Sequence, residues 1–183
     1  MRLGLVLTAT MPMASGAAAQ VTNLEAPGNL AATVDPGCVT AAEADPRLSP
    51  PDLALGVLAC AKAGGWDTAA DLCALMLLRA AFDTRRVADV SAHQAGEVLS
   101  MQLGQGVSDG DRASLGKALA RFADPSATQR LAFCPAAMAA GAPQHDPSWM
   151  IQHGIGPFWG RKATGWSKGL IRMRHGIGSS ARI

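Results

Sequence analysis

The sequence has 183 residues, of which 49% are hydrophobic, 16% are charged and only 4% are aromatic, and its formal net charge is +2. This composition lies in the globular range and excludes collagen-like, mucin-like and polyampholyte chains, and the length favours a single domain. No stretch reaches the roughly 18 to 20 uninterrupted apolar residues of a membrane-spanning helix, so a polytopic membrane protein is not expected. Alanine supplies much of the apolar content, and such small side chains favour a core built from helices.

Composition divides the chain into four segments. The first has the layout of a secretory signal peptide, with a positive charge at Arg2, a short apolar stretch and small residues that end in an Ala-x-Ala site. We predict cleavage after Ala19 and export to the bacterial periplasm or the medium; an N-terminal core helix is the alternative, but Pro12 would interrupt it. The segments are a signal peptide over 1–19, an irregular N-terminal arm over 20–49, a helical domain over 50–159 and a basic tail over 160–183.

Capping signals predict two helices at the start of the helical domain. Ser49 can cap the first helix and Pro50 fits its first turn, while the glycine pair at 64–65 ends it. The second helix is expected from Asp67 to about Phe82. Two helices of similar length joined by a tight glycine turn predict an antiparallel hairpin.

The rest of the helical domain has the periodicity of further short helices, and no segment alternates as a strand would. We therefore predict an all-α fold of about five or six short helices, with disulfides. The expected elements are a polar connector over 83–90, a third helix over 91–103, a fourth helix capped by Ser108 or Asp109, helical stretches over 128–134 and 136–140 divided by Pro135, and a short helix over 147–153.

Four cysteines follow the predicted signal peptide, namely Cys38, Cys60, Cys73 and Cys134. An even number of cysteines in an oxidising compartment predicts two structural disulfides. No pair has the Cys-x-x-Cys spacing of a thioredoxin-like redox centre or a zinc ribbon. The favoured pairing joins Cys60 to Cys73 within the predicted hairpin and Cys38 to Cys134. The pairing of Cys38 with Cys60 and of Cys73 with Cys134 stays open.

The turn of the predicted hairpin is similar to part of a known type of repeat. The segment from Ala59 to Cys73 has a turn glycine at Gly64, an aromatic residue at Trp66 and a small residue of the second helix at Ala69. It resembles one tetratricopeptide or Sel1-type helical repeat of roughly 34 residues. The resemblance implies hairpin packing with a concave surface suited to peptides, and therefore a protein partner.

A polar cluster over 83–93 contains the candidate catalytic residues Arg86, Asp89 and His93. A carboxylate four residues before an imidazole on one helical face could orient it for acid–base chemistry, as in part of a hydrolytic triad. No Gly-x-Ser-x-Gly elbow is present, and Ser91 lies too near in the same turn to be a convincing nucleophile. The favoured interpretation is therefore a helix cap with ion pairs, and a small hydrolase is the alternative.

A second polar cluster, around 145–154, contains two histidines eight residues apart, which is not the spacing of a helical metal site. We expect neither a metal nor a cofactor here. Asp146 and Pro147 are expected to start a short helix that Trp149 docks, with His153 near its C-terminal dipole. The candidate binding residues of the chain are Trp66, Trp149 and His153.

The last 24 residues differ in charge from the rest. Between positions 20 and 159 there are 9 basic and 14 acidic residues, a balance of −5, whereas the tail has 6 basic residues and no acid. Such a tail could contact anionic lipid headgroups weakly, and Trp166 beside the basic residues suits a membrane surface. The favoured interpretation is a disordered tail that folding does not need, or a stretch translated out of frame. No nucleic-acid partner is expected.

These observations favour an exported, noncatalytic helical protein that binds another protein through a groove beside the 50–82 hairpin. The signal peptide, the repeat-like hairpin and the lack of a nucleophile motif support this interpretation. The hydrolase using Asp89 and His93 and the anionic-surface binder acting through the tail are the alternatives.

Overall fold

The computed structural model describes residues 25–159, without the side chain of Phe158, and the regular elements in this range are seven α-helices and one 3₁₀-helix, with no strand. The all-α prediction is confirmed, whereas the predicted signal peptide and basic tail lie outside the described residues. None of the helices in this range combines the length and apolarity that crossing a bilayer requires. The elements are α1 (Pro50–Lys62), α2 (Trp66–Arg86), the 3₁₀-helix (Val90–Gln94), α3 (Ala95–Gly106), α4 (Asp109–Ala123), α5 (Thr128–Ala139), α6 (Ser148–Ile151) and α7 (Ile155–Phe158).

Helix α1 begins at a capping box. Ser49 caps the helix, and the buried Asp52 carboxylate accepts hydrogen bonds from the Ser49 backbone N and Oγ, both at 2.7 Å. The other oxygen of Asp52 accepts from the backbone N of Thr33 at 2.6 Å and of Val34 at 2.9 Å. Asp52 therefore fixes both the start of α1 and the arm that precedes it.

Helices α1 and α2 form the predicted antiparallel hairpin. Gly64 has a φ of +75° in the turn, a left-handed conformation that favours glycine. Leu53, Val57, Leu72 and Met76 are all fully buried and belong to one hydrophobic cluster, to which α3 and α4 also contribute. The hairpin is therefore the centre of the core.

Two predicted boundaries are wrong. Helix α2 continues to Arg86 instead of ending near Phe82, because the polar residues Asp83 and Arg86 are buried and paired with each other. The third helix starts as a 3₁₀ turn at Val90 and becomes α-helical only at Ala95.

The predicted division at Pro135 is also wrong, since α5 runs through this residue. Proline usually breaks a helix because it lacks an N–H and its ring crowds the preceding turn. In α5, Phe133 precedes Pro135 and Ala136 and Ala137 follow it, and all three pack against the core. Contacts on both sides of the proline therefore hold one continuous helix.

The two ends of the described chain meet. The backbone N of Leu30 donates to the Trp149 carbonyl at 3.1 Å, and His153 Nδ1 lies 2.9 Å from Asn29 Oδ1. The arm, which has no helix between residues 25 and 49, thus packs against α6 near the other end of the described range.

The disulfide corrects the favoured cysteine pairing. Cys38 is bonded to Cys60, while Cys73 is a buried free thiol and Cys134 an exposed one. Cys60 lies two residues before the end of α1 and Cys73 seven residues after the start of α2, so they differ by five residues in distance from the turn. Five residues correspond to about 7.5 Å along a helix axis, too far for a disulfide between facing helices. Of the alternative pairing, the bond between Cys38 and Cys60 is present, and the bond between Cys73 and Cys134 is not.

Candidate functional site

The most concentrated polar site in the described chain surrounds Asp83 on α2. Its carboxylate is fully buried and lies 2.6 Å from Arg86 Nε, 2.8 Å from His145 Nε2 and 2.7 Å from Trp149 Nε1. Arg86 Nη2 also donates to the His145 carbonyl at 2.9 Å. Helix α2 is thereby fixed to the segment that contains α6.

The pair of Asp83 and His145 has the carboxylate–imidazole arrangement that hydrolases use, but its surroundings do not suit catalysis. The side chains are 0% and 2% exposed, so a substrate has no access to them. His145 Nδ1 is buried and has no hydrogen-bond partner among the described residues. The pair therefore acts in packing.

The polar residues around Asp83 predict a connector over 83–90, and they give no indication of a contact with His145. A usable signal was present, because Asp83 lies seven residues after Met76 and so continues the buried face of α2. Nothing in the spacing of 62 residues between Asp83 and His145 indicates that they meet.

A second buried cation, Arg79, was also missed. Its guanidinium donates to the carbonyls of Leu48 at 2.6 Å, Asp45 at 2.9 Å and Ala44 at 3.2 Å. Burial lowers the pKa of Arg79, and the charges of Asp45 and Asp83 oppose this shift. Arg79 fixes the backbone just before α1 against α2.

The three candidate catalytic residues do not form one site. Arg86 belongs to the Asp83 network, while His93 Nε2 lies 2.9 Å from the Val87 carbonyl. Asp89 accepts from Ser91 Oγ at 2.5 Å and Ser91 N at 3.0 Å, and it caps the 3₁₀-helix. The hydroxyl that a hydrolase would need therefore donates to the carboxylate and not to an imidazole. This geometry gives the hydrolase alternative no support.

Asp89 and Ser91 bind the start of α7 instead. The second Asp89 oxygen accepts from Gly156 N at 3.1 Å, and Ser91 Oγ accepts from Ile155 N at 2.9 Å. Hydrogen bonds from Ser91 and Gly156 lower the pKa of Asp89 against the effect of burial. The polar cluster over 83–93 is thus a docking point for α7.

The candidate binding residues lie in different surroundings. Trp149 is 2% exposed and part of the core, and Trp66 is half-buried against the core at the start of α2. His153 is half-buried beside Asn29 and lies two residues after the end of α6. They do not make one common surface.

An apolar surface that sequence analysis did not predict lies on α5. Leu131 and Met138 are 65% and 81% exposed, and the exposed Cys134 lies between them in the chain. Spacings of three and four residues place these three side chains on one side of the helix. We call them the α5 face. Predicting a break at Pro135 concealed this face, because it assigned Leu131 and Met138 to separate segments.

Helix α5 is attached beside the hairpin. Gln129 Nε2 donates to the Asp67 carbonyl at 3.0 Å and to Asp71 Oδ1 at 2.9 Å, both on α2. Phe133 packs edge-on against Phe122 of α4, with 5.1 Å between the ring centroids. Packing on these sides leaves the α5 face in solvent.

Among residues 25–159, no group of three or more histidine, cysteine or acidic side chains has the arrangement of a metal site. A comparison of the chain with protein-family models, with curated proteins and with solved structures found no match.

Proposed function

We propose that this chain is an exported, noncatalytic helical protein and that it binds another protein through the α5 face, beside the α1–α2 hairpin. The observation that carries the proposal is an exposed apolar row on a helix in which no residue is buried.

Single exposed apolar residues are common on protein surfaces and carry little meaning. The α5 face differs because Leu131, Cys134 and Met138 follow the seam spacing of helix pairs over seven residues, about 10 Å or two turns. The exposed neighbours Ala132 and Pro135 are small or compact, so a second helix can approach closely. A partner that presents an apolar helical face fits this surface best.

Two further features support the proposal. The α1–α2 hairpin resembles one tetratricopeptide or Sel1-type repeat, and such repeats serve as protein-binding scaffolds. The Cys38–Cys60 disulfide suits an oxidising compartment, in agreement with export directed by the first 19 residues.

The α5 face can be tested because its exposed Cys134 is a site for attaching a crosslinker. We would attach a benzophenone maleimide to Cys134, illuminate the protein in an extract of the producing cells, and purify the crosslinked partner. Binding of the pure partner to the unlabelled protein would then be measured by calorimetry. The substitutions Leu131→Glu and Met138→Glu together should weaken this binding by at least about tenfold, because two charges would enter an apolar contact.

The matched control replaces two other exposed apolar residues, Val34→Glu and Met101→Glu, which are 52% and 55% exposed. This variant should bind like the parent, and circular dichroism should show that both variants keep their helicity. Equal binding by the parent and the α5 variant, or equal loss in both variants, would refute the α5 face as the binding surface.

A further inference from the structure

A short piece of the arm, residues 35–38, lies against helix α1. A Cβ at Gly56 would lie 3.1 Å from the Gly37 carbonyl oxygen, so the two backbones meet closely at this point. One turn further along α1, Cys60 is bonded to Cys38. We call residues 35–38 the strap.

The chain is fixed on both sides of the strap. Before it, the backbone N atoms of Thr33 and Val34 donate to the Asp52 carboxylate at 2.6 Å and 2.9 Å. After it, Val39 packs against the core and Ala41, 3% exposed, belongs to it. None of these contacts needs the disulfide.

The strap itself has few bonds of its own. Its backbone N at Gly37 donates to Asp35 Oδ1 at 2.9 Å, which is a bond within the strap. Among residues 25–159, no hydrogen bond joins the strap to α1. The disulfide and the contact at Gly56 therefore hold it on the helix.

The two ends of the disulfide differ in access. Cys38 is exposed, whereas Cys60 is 0% exposed. Thiol–disulfide exchange requires a thiolate to reach one of the two sulfur atoms, so access decides which of them is attacked. An external thiol should therefore react at Cys38.

We propose that the Cys38–Cys60 disulfide is a redox-sensitive closure of the strap. A dithiol reductant opens the bond at Cys38 and releases residues 35–38 from α1, while the attachments on both sides stay in place. The device responds to the thiol state of the surroundings without unfolding the protein.

The reaction has two exchange steps. A thiolate of the dithiol attacks Cys38 Sγ, the bond to Cys60 breaks, and Cys60 leaves as a thiolate that takes a proton from water. The second thiol of the reductant then attacks the mixed disulfide, and Cys38 leaves as a thiolate that is protonated in turn. The protein gains two electrons, and the dithiol loses them in forming its own disulfide.

This proposal goes beyond the proposed function and uses no residue of the α5 face, so either can fail alone. The first test locates the attack. The oxidised Cys134→Ser variant, which lacks the exposed competing thiol, is incubated with reduced glutathione, quenched with acid and mapped by mass spectrometry of peptic peptides. Glutathione should be found on Cys38 at least about tenfold more often than on Cys60, because Cys60 is shielded.

Equal labelling of the two cysteines, or more on Cys60, would overturn the proposal. Resistance of the bond to both glutathione and dithiothreitol in the folded protein would overturn it as well.

The second test follows the strap itself by NMR. On reduction with dithiothreitol, the amide order parameters of Gly37 and Cys38 should fall from about 0.85 to below about 0.6, the range of flexible backbone. Those of Thr33 and Val34 should not change, because Asp52 still accepts from them. Unchanged order in the strap, or an equal loss at Thr33 and Val34, would contradict a local release.

The third test places a methyl group under the strap. In Gly56→Ala the new Cβ meets the Gly37 carbonyl while the strap is closed, so the equilibrium constant for forming the disulfide in a glutathione redox buffer should fall by about fivefold or more. The methyl also lies 3.3 Å from Leu72 Cδ1, but this contact is present in both redox forms.

Gly116→Ala is the matched control, since it adds a methyl to a helix with no neighbour inside 4 Å, and its equilibrium constant should equal that of the parent. An equal constant in Gly56→Ala and the parent would refute closure of the strap against α1. The glutathione and NMR measurements need no substitution at Gly56, so they decide the proposal even if Gly56→Ala does not fold.

Discussion

Asp83 accepts hydrogen bonds from Arg86 in its own helix and from His145 and Trp149, more than 60 residues later. A buried charge of this kind adds little stability compared with an apolar residue, but removing one member of the network leaves buried polar groups poorly compensated. At the scale of single residues, the fold is therefore most sensitive at its buried polar side chains.

Asp83→Asn should destabilise the protein by about 3 to 5 kcal/mol, because the amide carries no negative charge and offers one acceptor oxygen to three buried donors where the carboxylate offers two. The free energy of unfolding in urea measures this loss. The control is Asp67→Asn, which removes the exposed ion pair between Asp67 and Arg121 and should have a far smaller effect. Similar losses in both variants would contradict a special role for the Asp83 network.

Asp52 should make stability depend on pH. Burial opposes its ionisation, but hydrogen bonds from Ser49, Val34 and Thr33 outweigh burial and hold its pKa below the usual 3.8. Because the folded pKa is lowered, its contribution is complete above the unfolded pKa and is lost as pH falls through the folded one.

Urea unfolding as a function of pH tests this prediction. The parent should lose stability between about pH 5 and pH 2, and Asp52→Asn should be less stable at neutral pH but less dependent on acid. If the free energy of unfolding changed with pH equally in the two proteins, Asp52 would not be the source of the pH dependence.

At the scale of elements, the helix boundaries that local residues determine were predictable from the sequence. The boundaries that long-range contacts determine were not. The start of α1 was predictable because Ser49, Pro50 and Asp52 act within one turn, and Gly64 marks the end of the helix by its own conformation. The end of α2 and the continuity of α5 were not predictable, since both depend on packing partners distant in sequence. Polar residues at 83 and 86 indicate a loop unless their burial is known.

In the candidate site, too, local features were predictable from the sequence and long-range contacts were not. A helix cap at Asp89 or Ser91 was predictable from the local sequence, whereas the bond from Gly156, 67 residues later, to Asp89 left no trace in the spacing. The Cys38–Cys60 bond was one of several allowed pairings, because cysteine positions do not give the offset between helices.

Substitution by alanine should change the stability in opposite directions at two glycines, one beside the docked α7 and one within α4. Gly154→Ala should cost about 1 to 3 kcal/mol, because the added methyl meets an Asp89 carboxylate held in place by hydrogen bonds and the fixed methyl of Ala92. Gly116→Ala, within α4 and with no neighbour inside 4 Å, should stabilise by about 0.5 to 1 kcal/mol. Thermal and urea unfolding of the two variants measure both changes, and destabilisation by both would contradict this account.

At the scale of the whole molecule, the disulfide and the two thiols give a pattern that mass spectrometry can read. Iodoacetamide should modify Cys134 quickly in the native protein, and Cys73 only after unfolding, because burial both shields this thiol and raises its pKa. Two further adducts should appear after reduction. Four adducts without reduction would contradict the Cys38–Cys60 bond.

Loss of that bond, in the paired substitutions Cys38→Ala and Cys60→Ala, should cost about 3 kcal/mol from the regained entropy of a loop of 22 residues. Cys134→Ser is the control and should leave the urea midpoint nearly unchanged, as its side chain is exposed. An equal midpoint for all three proteins would show that the bond adds nothing to stability.

The meeting of the arm with α6 and the residues after it also has a consequence for how the chain acquires its fold. Asn29 and His153 are 124 residues apart, so the contact between them cannot form until the whole segment between them has been made. The hairpin can collapse early from local interactions, but Leu30 and Trp149 can join only after α6 has been made. A growing chain therefore exposes apolar core surface until α6 has been made, and during this interval it is most open to proteases and to holding by chaperones.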